Sequence, residues 1–184
     1  MKRRIFLHAA GLTGLGALAG PMTVLGRRSV PAHRVKAAKA AKQKVVRDAE
    51  GKPVNVLGDH QVLKLAAGDT NGRVTAIVQN NPPNTRIPKH VHANEDEVFH
   101  LLEGEMEFEV GSQTVTLKAG DLIFLPRGVP HSFKVVGTAH AKTHLTVVPA
   151  GLEKMFDDLS RLPAGPPDMP TVTRICGRYG VRFV

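Results

Sequence analysis

The chain has 184 residues, 42% of them hydrophobic but only 4% aromatic, with a single cysteine. That length suits one ordinary domain with some tens of residues to spare, and one cysteine excludes an internal disulfide, so a hydrophobic core must hold the fold. A net charge of +9 would raise nucleic acid as a partner, but its placement excludes that reading: residues 1–40 carry eight of the 25 Lys and Arg and no Asp or Glu, leaving 17 Lys and Arg against 16 Asp and Glu.

The first segment begins with Lys2-Arg3-Arg4, continues into an apolar run of small residues from Ala9 to Gly20, and ends near Gly26. A basic start, an apolar middle and small residues at the end form a secretory signal pattern. Arg3-Arg4 followed by Ile5-Phe6-Leu7 resembles a bacterial twin-arginine signal, with Lys2 where Ser or Thr is usual. The apolar run is short and broken by glycine, below the ~20 residues a stable membrane span requires. An exported protein, periplasmic or extracellular, is therefore expected, with cleavage after Ala19 or Ala40. The resemblance implies folding before export, which a chain without disulfides permits. Residues 27–44, rich in Lys, Ala and Arg, read as a spacer. The expected division is a signal and spacer over 1–40, a β domain over 45–150 and a helical extension over 151–184.

From Val45 onward, short apolar or alternating runs recur between turn residues. Strands are expected at Val54–Leu57, Gln61–Leu65, Arg73–Gln79, Glu97–Leu102, Glu105–Val110, Gln113–Leu117, Leu122–Leu125, His131–Val136 and Lys142–Val148. Nine short strands at this spacing predict an all-β sandwich or barrel. Beyond Gly151 the period changes. Leu152, Met155, Phe156 and Leu159 recur at helical spacing, as do Val172, Ile175, Cys176 and Tyr179 in a second helix over Pro170–Tyr179 stopped by Gly180. These stripes predict helices packed across the sandwich or against a second subunit.

Four polar residues break the inward apolar pattern. His90 and His92 stand two apart, so on an extended chain both imidazoles project from one face. Glu97 shares its parity with Phe99 and Leu101, and His131 shares its parity with Phe133 and Val135. A carboxylate on an inward face is costly unless a positive charge lies opposite. His90, His92, Glu97 and His131 are thus candidate ligands for one divalent transition metal ion (Mn, Fe, Ni, Co, Cu or Zn), with coordination positions left for water or substrate.

The spacing of these residues is similar to the two sequence motifs of the cupin superfamily. Residues 90–104, HVHANEDEVFHLLEG, match His-x-His, four residues, Glu, six residues, Gly; residues 120–131, GDLIFLPRGVPH, match Gly, five residues, Pro-x-Gly, two residues, His. Asn84 stands where the first motif usually begins with Gly, and Val135 where the second usually ends with Asn. The resemblance spans roughly Val54 to Phe156 and looks nearest to single-domain cupins related to quercetin 2,3-dioxygenase. It implies a cupin jelly-roll barrel, a double-sheet sandwich, with a short C-terminal helical tail. It also implies a homodimer.

The activity this implies is a metal-dependent dioxygenase acting on a small hydroxylated organic substrate, with Glu97 as ligand and catalytic base. Phe99, Met106, Phe108 and Phe133 are expected to form its pocket. The alternatives are a non-catalytic periplasmic metal- or ligand-binding cupin, or a metal-dependent isomerase or decarboxylase. Arg127 could meet an anionic substrate, though a turn-surface role fits it better. His100, His140 and His144 are expected outside the site, and Cys176 is expected to be a buried structural thiol.

Overall fold

In the computed structural model, which describes residues 40–163 and 165–184, two antiparallel sheets face each other. Expectations for the leader, and for most of the spacer, lie outside the described residues. The strands are β1 (Lys52–Val56), β2 (Asp59–Leu65), β3 (Thr75–Asn81), β4 (Arg86–His92), β5 (Asp96–Glu103), β6 (Glu105–Val110), β7 (Gln113–Lys118), β8 (Leu122–Leu125), β9 (His131–Val135), β10 (Ala141–Val148) and β11 (Val181–Phe183). One sheet has the order β1-β2-β3-β10-β5-β8 and the other β11-β4-β9-β6-β7. The helices are α1 (Ala67–Thr70), α2 (Glu153–Ser160) and α3 (Met169–Arg178). No helix among the described residues is long and apolar enough to cross a membrane.

The expected sandwich is present, and strict alternation builds its interior. On β5, Glu97, Phe99 and Leu101 are buried while Val98 and His100 are less so; on β9, His131, Phe133 and Val135 are buried. Phe99, Phe108 and Phe133 pack together with ring centroids 5.3–5.7 Å apart. Because side chains two residues apart share a face, this aromatic layer lies one pleat below Glu97 and His131.

Two strands escaped the alternation rule. β4 reads RIPKHVH, and Pro88 marks it against an ordinary strand interior. Its pairing with β9 slips between Ile87 and His90, so three steps on β4 match two on β9. Pro88 lies in this bulge, where a missing N–H costs no ladder bond, and the slip brings His90 opposite His131. β11 has only three residues and exists through pairing with β4. A third difference is α1, a single turn in the connection between the expected strands Gln61–Leu65 and Arg73–Gln79, closed by Asn71 and Gly72 at positive φ.

The tail packs on the sandwich. Leu152, Met155, Leu159, Val172, Ile175 and Cys176 join the main core. Glu153, at the start of α2, ties helix to sheet: its carboxylate accepts hydrogen bonds from Gly151 N (2.9 Å), Ala67 N (3.0 Å) and Thr75 Oγ1 (2.7 Å). Asn84 has φ 67°, so it takes the left-handed conformation that glycine would otherwise supply. Gly104, also at positive φ, lies so close to the His140 carbonyl that a Cβ would collide with it.

Candidate metal centre

β4 delivers His90 and His92, β5 delivers Glu97 and β9 delivers His131, and one potential ligand atom from each lies within 4.8 Å of all the others. All four side chains are buried. The imidazole centroids of His90 and His131 are 4.4 Å apart, and those of His90 and His92 are 5.0 Å apart. The Pro126–Gly128 turn helps aim the last ligand: Gly128, at φ 78°, donates its N–H to the His92 carbonyl at 2.8 Å, linking the two motif segments.

Hydrogen bonds fix which ring nitrogens face inward. His90 Nδ1 contacts the Pro88 carbonyl oxygen at 2.9 Å, and His131 Nδ1 contacts that of Val129 at 3.1 Å. A carbonyl only accepts, so each Nδ1 carries the proton and each Nε2 presents a lone pair. His131 Nε2 lies 3.2 Å from Glu97 Oε2 without hydrogen-bond geometry, and His92 Nε2 lies 3.7 Å from the same oxygen. A buried lone pair pointing at a carboxylate is repulsive, and a cation between them reverses the sign. Three nitrogens and one oxygen suit the divalent first-row transition metals named above. The residues therefore fit one metal ion.

The electrostatics of the cluster agree. Burial, followed by the repulsion a protonated His131 would exert, lowers the His90 pKa to about 4, so its ring is neutral at pH 7. For Glu97, burial works against the charge, but positive charge on the surrounding rings, that of His131 first, outweighs it and holds the carboxyl below its usual range, so the carboxylate calls for either protons on those rings or a cation beside it. His92 is also penalised by burial, yet the Glu95 and Glu97 carboxylates prevail and raise its pKa.

Glu95 is the neighbour that sequence reasoning missed. It is buried, with Oε2 3.6 Å from His92 Nδ1, on the opposite side of the ring from Glu97. A carboxylate there favours a protonated Nδ1 and leaves Nε2 free for the ion. The available signal was a second acidic residue two before Glu97, but parity alone does not separate an orienting group from a surface charge.

The cluster opens into a cavity of about 430 Å³. Phe99 and Phe133 line it as expected, joined by Met155, Leu159, Val172 and Phe183 from the tail. Met106 and Phe108 do not line it. They are fully buried on β6, paired with Val135 and Phe133, and Phe108 belongs to the aromatic layer without reaching the cavity. Arg127 is committed to Asp96, donating from Nε at 3.0 Å, NH2 at 2.6 Å and its backbone N at 2.8 Å. His100 pairs with His144 across the outer side of the six-stranded sheet, His140 is exposed, and Cys176 is buried with its thiol pKa pushed up by burial.

Comparison with known proteins agrees with this architecture. The chain is 28% identical over 100 residues to quercetin 2,3-dioxygenase of Bacillus subtilis, covering 54% of this chain and 29% of that protein. It is 36% identical over 56 residues to an oxalate-binding protein of Thermotoga maritima, covering 30% of this chain and 46% of that one. The matches thus span less than half the length of either relative. Among solved structures, an RmlC-like cupin from Shewanella frigidimarina superposes with a TM-score of 0.53 at 18% identity, covering 63% of this chain and 99% of that one, a likeness of fold alone. The Cupin domain family model matches residues 77–148, from β3 to β10, the stretch whose inward His/Glu cluster could hold one metal ion.

Proposed function

We propose that the protein is a metal-dependent dioxygenase of small hydroxylated organic compounds, with its ion held by His90, His92, Glu97 and His131. The observation that carries this reading is the convergence of four buried donor atoms, within 4.8 Å of one another, at an apolar cavity large enough for a small organic ligand. The similarity to a quercetin 2,3-dioxygenase supports the choice of reaction class. When bound, the ion would supply Lewis acidity and, with a redox-active metal, a site for dioxygen. The chain's own residues supply the rest. Glu97 accepts the proton of a substrate hydroxyl at a carboxylate oxygen, while Phe99, Phe133 and Phe183 hold the substrate's apolar body and exclude water.

Dioxygen uptake by protein reconstituted separately with each of the six metals, using flavonols and catechols as substrates, tests the proposal. Uptake that requires both metal and Glu97 is the expected result. No uptake with any metal across that panel overturns it. The similarity to an oxalate-binding protein favours a second reading, a non-catalytic cupin that retains a small ligand at the same ion. That reading predicts ligand binding without turnover.

The proposal includes export, on the strength of Arg3-Arg4 and the apolar run after them. It also includes a homodimer, for which exposed Leu122 and Phe124 on the edge strand β8 offer an apolar surface. Signal-dependent translocation and solution mass test these two points separately.

A further inference from the structure

The same cavity has a second polar end. Asp59 and Gln61 from β2 and Gln79 from β3 line it, and all three are at least 95% buried. Asp59 Oδ2 accepts from Gln61 Nε2 at 2.6 Å and from Gln79 Nε2 at 3.4 Å. Behind them Asn81, with its amide turned to donate, reaches both Asp59 oxygens at 2.6 and 3.2 Å, and Thr143 Oγ1 donates to Gln79 Oε1 at 2.9 Å.

The position of this cluster on the strands is informative. Leu63 pairs with Ile77 and Gln61 pairs with Gln79, so the inward face changes from apolar to polar over one step of the ladder. Apolar residues at Gln61 and Gln79 would continue the core and avoid burying polar atoms. The polar residues begin at positions that line the cavity. The network also leaves one group over. Gln61 Oε1 is buried and has no hydrogen-bond partner, although the amide's other end donates to Asp59. A carboxamide oxygen can only accept, so what it lacks is a donor.

The two ends are well separated. Gln79 pairs with Thr143, and Glu97 pairs with Val147, on opposite sides of the shared strand β10. Four residues along a strand and two strand spacings across put their Cα atoms roughly 16 Å apart. A single-ring compound does not bridge that distance. We propose that Gln61, braced by Asp59 and Gln79, is a specificity-determining subsite that accepts a hydrogen bond from a hydroxyl or N–H at the far end of an elongated, largely apolar ligand whose other polar end lies at the His/Glu cluster. This substrate class deepens the proposed function and rests on it.

Binding titrations of metal-loaded full chain without dioxygen, using quercetin and 3-hydroxyflavone, test the subsite. Both probes carry the hydroxyl-ketone head that suits a metal, but only quercetin carries hydroxyls on both outer rings. Wild-type protein is expected to bind quercetin about tenfold more tightly, the effect of one satisfied buried acceptor. Gln61→Leu and Gln61→Met are expected to erase that preference by weakening quercetin alone. Unchanged 3-hydroxyflavone affinity and metal content then serve as the fold control. Equal affinity of wild-type protein for the two probes, or equal weakening of both by the variants, overturns the subsite while leaving the metal-end reading standing. Failure of wild-type protein to bind 3-hydroxyflavone overturns the metal-end reading, and the paired-end ligand with it.

Discussion

The two polar ends of the cavity arise from the same strand alternation but resolve the cost of burial in different ways. At the His/Glu end, the Nε2 atoms of His92 and His131 approach the Glu97 carboxylate without hydrogen-bond geometry, an arrangement that a cation between them would satisfy. At the Asp59 end, three carboxamides surround one carboxylate, and a single acceptor, Gln61 Oε1, is left over. The first cluster is incomplete without something from outside; the second nearly completes itself. Removing a residue should therefore cost metal at one end and fold stability at the other.

The largest effect is expected at the metal end. His131→Ala should abolish metal-dependent stabilisation, which in the wild type amounts to about 2.7 kcal/mol with free metal at a hundred times its Kd. Chemical denaturation with and without metal measures it, and an unmetallated variant as stable as unmetallated wild type supports the contrast. At the other end, Gln79→Ala should lower stability by about 1–3 kcal/mol, because Asp59 loses a donor and Thr143 an acceptor, with metal content unchanged. Loss of metal from that variant would erase the distinction between the ends.

Glu95→Gln should sharpen the contrast further. It should weaken metal affinity about tenfold without unfolding the protein, as expected for a group that orients a ligand. Competition against a chromophoric chelator reads this directly. The smallest effect is expected at Glu153, which belongs to neither end. Its folded pKa is lowered because the hydrogen bonds from Thr75, Ala67 and Gly151 outweigh burial. Its contribution is therefore present above the ordinary carboxyl value near 4.5 and is lost as pH falls through the lowered one. Glu153→Gln should cost about 1 kcal/mol at pH 7 and converge with wild type in acid, as followed by unfolding at stepped pH.

What sequence reading reached, and what it missed, follows the range of each signal. His90, His92, Glu97 and His131 could be found because they break an apolar face at fixed spacing, beside turn residues such as Gly104 and Gly128. Strand β4 stayed hidden because its regularity is supplied by β9 and β11, and Pro88 argues locally against a strand. Met106 and Phe108 have the right parity for a pocket, but parity gives a face and not a depth, and both are fully buried away from the cavity. The Asp59 end was illegible for a similar reason: Asp59, Gln61, Gln79 and Asn81 are ordinary polar strand residues until pairing puts two strands side by side. Tail residues Met155 and Phe183 became cavity wall only through long-range packing.

The most direct test of the central claim is the metal content of the full chain after reconstitution and removal of free ions. The account predicts about one equivalent of a divalent transition ion per wild-type chain, and almost none in a folded His90→Ala/His92→Ala variant. Equal retention by the two proteins, or no retention of Mn, Fe, Co, Ni, Cu or Zn by folded wild type, would contradict it.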